Sequence, residues 1–155
     1  MIKFCKDQWN ANQRYLEEAL RNDTQLNNCD YKYLLSLVVT HILNHGLLSF
    51  ESEWDARNIT VIDNGDYQGT LMFLIPRDCY QPSENEYLLT FVYYGSCSGC
   101  DTLMRIQDWG NVLPTEQQLK DYMTLCKDLV MNMVKPYNDG WRKDERYNTV
   151  EMEES

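Results

Sequence analysis

"NITVIDNGDYQGTLMFLIP", residues 58–76, decides the fold. "NITVID" is short and β-branched, "NGD" is a hairpin signal, and "YQGTLMFLIP" reads as a second strand. Pro76 and the polar "RDCYQPSENE" make a longer loop, and "EYLLTFVYYG" is a third strand. The connections are too brief for parallel crossovers, so the sheet is expected to be antiparallel.

Helical patterns flank these strands. "DQWNANQRYLEEALR", residues 7–21, places Trp9, Asn12, Leu16, Ala19 and Leu20 at roughly helical spacing, with Glu17 and Glu18 outward. Asp30 is the expected N-cap of a second helix, "YKYLLSLVVTHILNH", with Gly46 as the glycine that ends it. That helix is apolar around most of its circumference and is expected near the centre of the core. Residues 98–110 have room for one irregular helical turn. Thr115 and Gln118 form a capping box for a last helix. Leu119, Tyr122, Met123, Cys126, Leu129, Val130, Met133 and Val134 make its apolar stripe, and Pro136 stops it. The expectation is an α+β fold in the order α-α-β-β-β-α, with a three-stranded antiparallel sheet packed against helices. One domain is expected over residues 1–138, followed by an acidic, flexible tail over 139–155.

A chain of 155 residues is long enough for one buried core, and 43% apolar content is that of a folded protein. No apolar run reaches the roughly 18 residues that span a bilayer, so no membrane role is expected. "MIKFCKDQWNANQ" lacks an apolar leader core and a cleavage site, so export is not expected. Six cysteines without a leader point to a reducing cytosol and free thiols. The net charge of −10 argues against direct nucleic-acid binding, which needs Lys and Arg against phosphates, and favours basic partners. The excess is uneven. Residues 51–113 carry ten acids and three bases, whereas residues 1–50 balance at five each.

Three chemistries compete for the "CSGC" of Cys97 and Cys100. A strand-to-helix dithiol is the placement thioredoxin-like proteins use, but the βαβ unit that should precede it is missing. His41 and His45 lie four apart on one helical face, and with Cys97 and Cys100 would make a Cys₂His₂ set whose ligand types suit zinc. The third possibility is a tight turn, with Gly95 and Gly99 for its backbone and Ser96 and Ser98 bonded to nearby amides. No G-x-S-x-G, phosphate loop or Gly-rich fingerprint supports an enzyme.

The middle acids fall at turns and strand ends. Asp63, Asp66, Asp78, Glu84, Glu86, Asp101 and Asp108, interleaved with Tyr67, Tyr80, Tyr87, Tyr93 and Tyr94, are expected on one rim of the sheet. Such a face suits a basic protein groove that normally holds nucleic acid. Of these, Asp63, Asp66, Tyr67, Asp78, Tyr80, Glu84, Glu86, Tyr93, Tyr94 and Asp101 are the candidate partner-binding residues.

"DYQGTLMFLIP", "YQPSENEYLLTFVYYGSCSGCDTL" and "LKDYMTLCKDLVMNMVKPYN" resemble a group of small proteins encoded by tailed phages and prophages. The likeness covers roughly residues 58–138, and "YGSCSGCDTL" is its specific block. That group has no settled activity, so the resemblance supplies no catalytic residues. It implies a viral origin, the cytoplasm of a bacterial host, and an accessory role in binding and blocking a host protein. CRISPR nucleases and other defence enzymes are among the implied targets.

Overall fold

The computed structural model describes residues 2–48, 53–65 and 69–135, so the expected tail at 139–155 lies outside the described residues. The fold is α+β in the order α-α-β-β-β-α, with one short extra helix before the last. Helix α1 (Lys3–Arg21) starts a turn earlier than the spacing predicts, because Phe4 and Cys5 extend its buried stripe through Trp9, Asn12, Leu16 and Leu20. Asn12 belongs to that stripe for a reason. Its amide donates to Ile42 O (2.9 Å) and His45 O (3.0 Å), and Gln8 Nε2 reaches Leu43 O and His45 O at 3.0 Å each. These carbonyls close a helix end, where intrahelical partners run out.

Helix α2 (Tyr31–Val38) is capped by Asp30, whose carboxylate accepts from Tyr33 N at 2.8 Å. It widens into a π-helical turn over Val39–Leu43. Gly46 then takes φ 78°, a left-handed conformation that costs a residue without Cβ little.

Strands β1 (Thr60–Gly65), β2 (Gly69–Pro76) and β3 (Tyr87–Tyr94) form one antiparallel sheet in that order. Phe73 pairs with Thr90 and Ile75 with Leu88, and all four side chains are fully buried against the helices. Thr90 Oγ1 donates to Leu129 O (2.6 Å), which ties β3 to the last helix. Every residue of β1 is exposed, so the helical layer covers β2 and β3 and stops short of β1.

After β3 come α3 (Thr102–Ile106) and α4 (Glu116–Met131). The capping box at Thr115 and Gln118 forms, at 3.1 and 3.0 Å. Helix α4 ends at Met131, well before Pro136, because the backbone straightens to pair Val134 with Leu89 on the outer edge of β3. Both hydrogen bonds of that bridge are 2.8 Å.

A buried polar knot fixes the α3–α4 connection. Asn27 Oδ1 accepts from Gln118 Nε2 (2.9 Å) and the Tyr122 hydroxyl (2.8 Å), while Asn27 Nδ2 donates to Asn111 O (2.8 Å). Gln107 Nε2 donates to Leu26 O and Cys29 O at 2.8 Å each. One continuous apolar cluster joins the three long helices to the inner face of the sheet.

Candidate interaction face and thiol pair

Directly paired residues of neighbouring strands share a face. The register therefore places Ile62, Met72 and Phe91 in one row on the side away from the helices. Leu74 with Leu89, and Thr70 with Tyr93, fill neighbouring rows of that side. Ile62 is 40% and Tyr93 71% exposed, and Met72, Leu74, Leu89 and Phe91 are half-buried. The Phe91 and Tyr93 rings meet edge to face at 5.7 Å. A sheet covered on one side is expected to alternate apolar and polar residues. Strands β2 and β3 are apolar on both sides instead.

Of the ten candidate residues from the sequence, the eight described ones do not form one rim. Asp66 and Tyr67 lie outside the described residues. Asp63, Tyr93 and Tyr94 gather where β1 turns into β2, since Tyr94 pairs with Gly69 and Gly69 with Gly65. There the Tyr94 hydroxyl donates its proton between Asp63 Oδ1 (2.6 Å) and Gly65 O (2.8 Å). Asp78, Tyr80, Glu84 and Glu86 belong to the β2–β3 connection at the opposite end. Seven residue steps along β3 separate the two ends, roughly 23 Å. Tyr87 also starts β3 at that far end, and Asp108 sits off the sheet, accepting from Gly110 N at 2.9 Å.

Asp101 corrects the expectation outright. It is 4% exposed and so is withdrawn from any partner. One oxygen accepts from the Tyr31 hydroxyl (2.9 Å) and Met104 N (3.0 Å), and the other accepts from Gly95 N (3.0 Å). The carboxylate thus caps α3 and fastens the end of β3 to the start of α2. Tyr31 in turn accepts from Leu103 N (3.1 Å). Burial, followed by the bond to Asp101, keeps the Tyr31 phenol protonated far above its usual range.

The "CSGC" segment is a tight turn, with Cys100 N donating to Cys97 O at 3.1 Å and Asp101 N to the same oxygen at 2.9 Å. Both thiols are exposed, and their sulfurs are 3.2 Å apart. Cys97 N also donates to Cys100 Sγ (3.4 Å). Gly95 is required here by close approach. A Cβ on it would come within 2.5 Å of Cys100 Sγ and 2.7 Å of the Cys100 carbonyl. Donation from the Cys97 thiol, then from the Cys97 and Ser96 groups, lowers the pKa of Cys100. Other cysteines go the opposite way. Burial pushes Cys5 and Cys29 up to about 12 and raises Cys126, while the Glu86 carboxylate raises Cys79.

The Cys₂His₂ set is not assembled. Cys100 adjoins Asp101, which touches Tyr31 at the start of α2, whereas His45 lies fourteen residues further along that helical run. At 1.5 Å per residue the pairs stand roughly 20 Å apart. His45 stacks on Tyr15 at 3.8 Å, and burial followed by the nearby His45 lowers the pKa of His41. Among the described residues, no group of three or more His, Cys, Asp or Glu is placed to share a metal ion. Nor, among them, is any helix long and apolar enough to cross a membrane.

Sequence reasoning missed Ile62, Met72, Leu74, Leu89 and Phe91 as surface residues. The signal was available: two neighbouring strands with unbroken apolar runs, in a chain with few helices to cover them. No protein-family model, curated protein or solved structure matches the chain.

Proposed function

We propose that the main role of this chain is non-enzymatic, that of an acidic interaction protein that docks the outer face of its sheet onto another protein. One observation carries the proposal: β2 and β3 are apolar on both faces, and the helices bury only one. Accessible apolar surface of this kind marks contact sites. The exposed Tyr93 lies at its edge, and a net charge of −10 favours a basic partner and rapid, salt-sensitive association. The resemblance to phage and prophage proteins makes that partner a host protein of the bacterial cytoplasm. A nucleic-acid-handling defence enzyme of the CRISPR type, held by its nucleic-acid groove, fits the charge.

Affinity capture from bacterial lysate at low salt tests this. A basic protein should be retained by the wild type, released by 0.5 M salt, and displaced by added nucleic acid. Ile62→Glu with Met72→Glu should lower capture at least about tenfold, the scale of one contact worth 1.4 kcal/mol. Asp78→Asn, at the far end, should leave it unchanged. Capture that survives the double Glu variant would sink the proposal, as would loss of capture in Asp78→Asn alone.

A further inference from the structure

We infer that Cys97 and Cys100 form a dithiol–disulfide couple that reduces accessible disulfides, with Cys100 attacking and Cys97 resolving. The geometry is already close to the oxidised state. The sulfurs stand 3.2 Å apart across a hydrogen-bonded turn, and a disulfide needs about 2.05 Å, so closure takes a side-chain movement of about 1.2 Å. Both sulfurs are exposed, as exchange by a thiolate requires.

The two sulfurs are not equivalent. The Cys97 amide donates to Cys100 Sγ, and Ser96 Oγ lies 4.0 Å from the same sulfur. Backbone therefore solvates a thiolate at Cys100. The absent Cβ of Gly95 makes room for that sulfur against the backbone. This order inverts the thioredoxin-like placement, in which a following helix stabilises the first cysteine. Here α3 begins only after both cysteines, and its Met104 and Leu103 amides are already taken by Asp101 and the Tyr31 hydroxyl.

The Cys100 thiolate attacks one sulfur of a disulfide R–S–S–R′, forming the Cys100–S–S–R bond and expelling R′–S⁻, which takes a proton from water. Cys97 then attacks Cys100 Sγ, forming the intramolecular disulfide and expelling R–S⁻, which receives the Cys97 proton. One disulfide is reduced to two thiols, and the protein dithiol is oxidised by the same two electrons. A thiol reductant of the monothiol class reverses the cycle.

The probe is glutathione disulfide with the reduced full-length chain at pH 7, read by mass spectrometry of alkylated peptides. Its failure is separable from failure of docking, because no protein partner is involved. The wild type should lose two hydrogens from the peptide holding Cys97 and Cys100 and keep no glutathione. Cys97→Ser should trap one glutathione on Cys100, at least about tenfold faster than exposed Cys79 acquires one, since thiolate fraction sets the rate. Cys100→Ser should react at Cys97 at least about tenfold more slowly than Cys97→Ser reacts at Cys100. Glutathione retained on both cysteines of the wild type would overturn the couple. Reaction of Cys100→Ser as fast as Cys97→Ser would overturn the direction of attack.

Discussion

Phe73 and Met72 are neighbours in one strand and face opposite ways. Phe73 is sealed beneath the helices beside Thr90, and Met72 lies in the open row with Ile62 and Phe91. Their hydrophobicity is similar, so composition does not separate the two faces; the helical layer does. The inner face contributes to folding, while the outer one holds apolar area that folding leaves in contact with solvent.

Truncation on each side is the hardest test of that difference and has the largest expected effect. Phe73→Ala should cost about 3–5 kcal/mol, the transfer term plus a cavity that a packed interior cannot fill. Phe91→Ala should cost about 1 kcal/mol, because its ring stays partly in water in both states. Urea unfolding followed by tryptophan fluorescence measures both. Equal losses would show that the outer face is as enclosed as the inner one, and the docking reading would go with it.

Asp101→Ala comes next, because it removes the polar anchor of the covered side. The Tyr31 hydroxyl and the Gly95 and Met104 amides all lose their acceptor within or near the core. An unsatisfied buried donor and a lost cap together should cost about 2–4 kcal/mol. A change under about 0.5 kcal/mol would mean that water replaces the carboxylate freely, and that the end of the sheet is not enclosed as the hydrogen bonds imply.

The strands were legible in the sequence because β-branched runs broken by "NGD" and "PSEN" have few other solutions. Helix ends were legible where a side chain reaches only three residues, as at Asp30 and Thr115. What local pattern cannot encode is which face a helix covers, and two apolar faces leave that choice open. Asp101 was misplaced for a related reason. An acid after a turn reads as solvated, yet its spacing to Met104 is that of an N-cap, a signal present in "DTLM". Asn27 offered no such signal, since Gln118 and Tyr122 lie 91 and 95 residues away. The Cys₂His₂ set failed on distance alone: ligand types were right, but the thiol turn is tied through Asp101 to the start of α2, and the histidines lie towards the far end of that helical run.

The smallest effect belongs to the polar β2–β3 connection, which is neither inner nor outer face and serves as the control for both. Glu86 is held below the ordinary carboxylate range by the Ser83 hydroxyl first, at 2.8 Å, then by the Cys79 thiol and the Ser83 amide. A depressed folded value means that the contribution is present above the unfolded value, about 4.3, and disappears as pH falls through the folded one. The group is partly open to solvent, so screening keeps the contribution slight. Glu86→Gln should melt about 1–2 °C below the wild type at pH 7, and the gap should close by about pH 3. Melting curves across that range decide it. A gap that persists unchanged into acid would assign the loss to packing of the loop and not to the carboxylate. The connection would then be a structured surface in its own right, and Asp78→Asn could no longer stand as the silent control against which the outer face is judged.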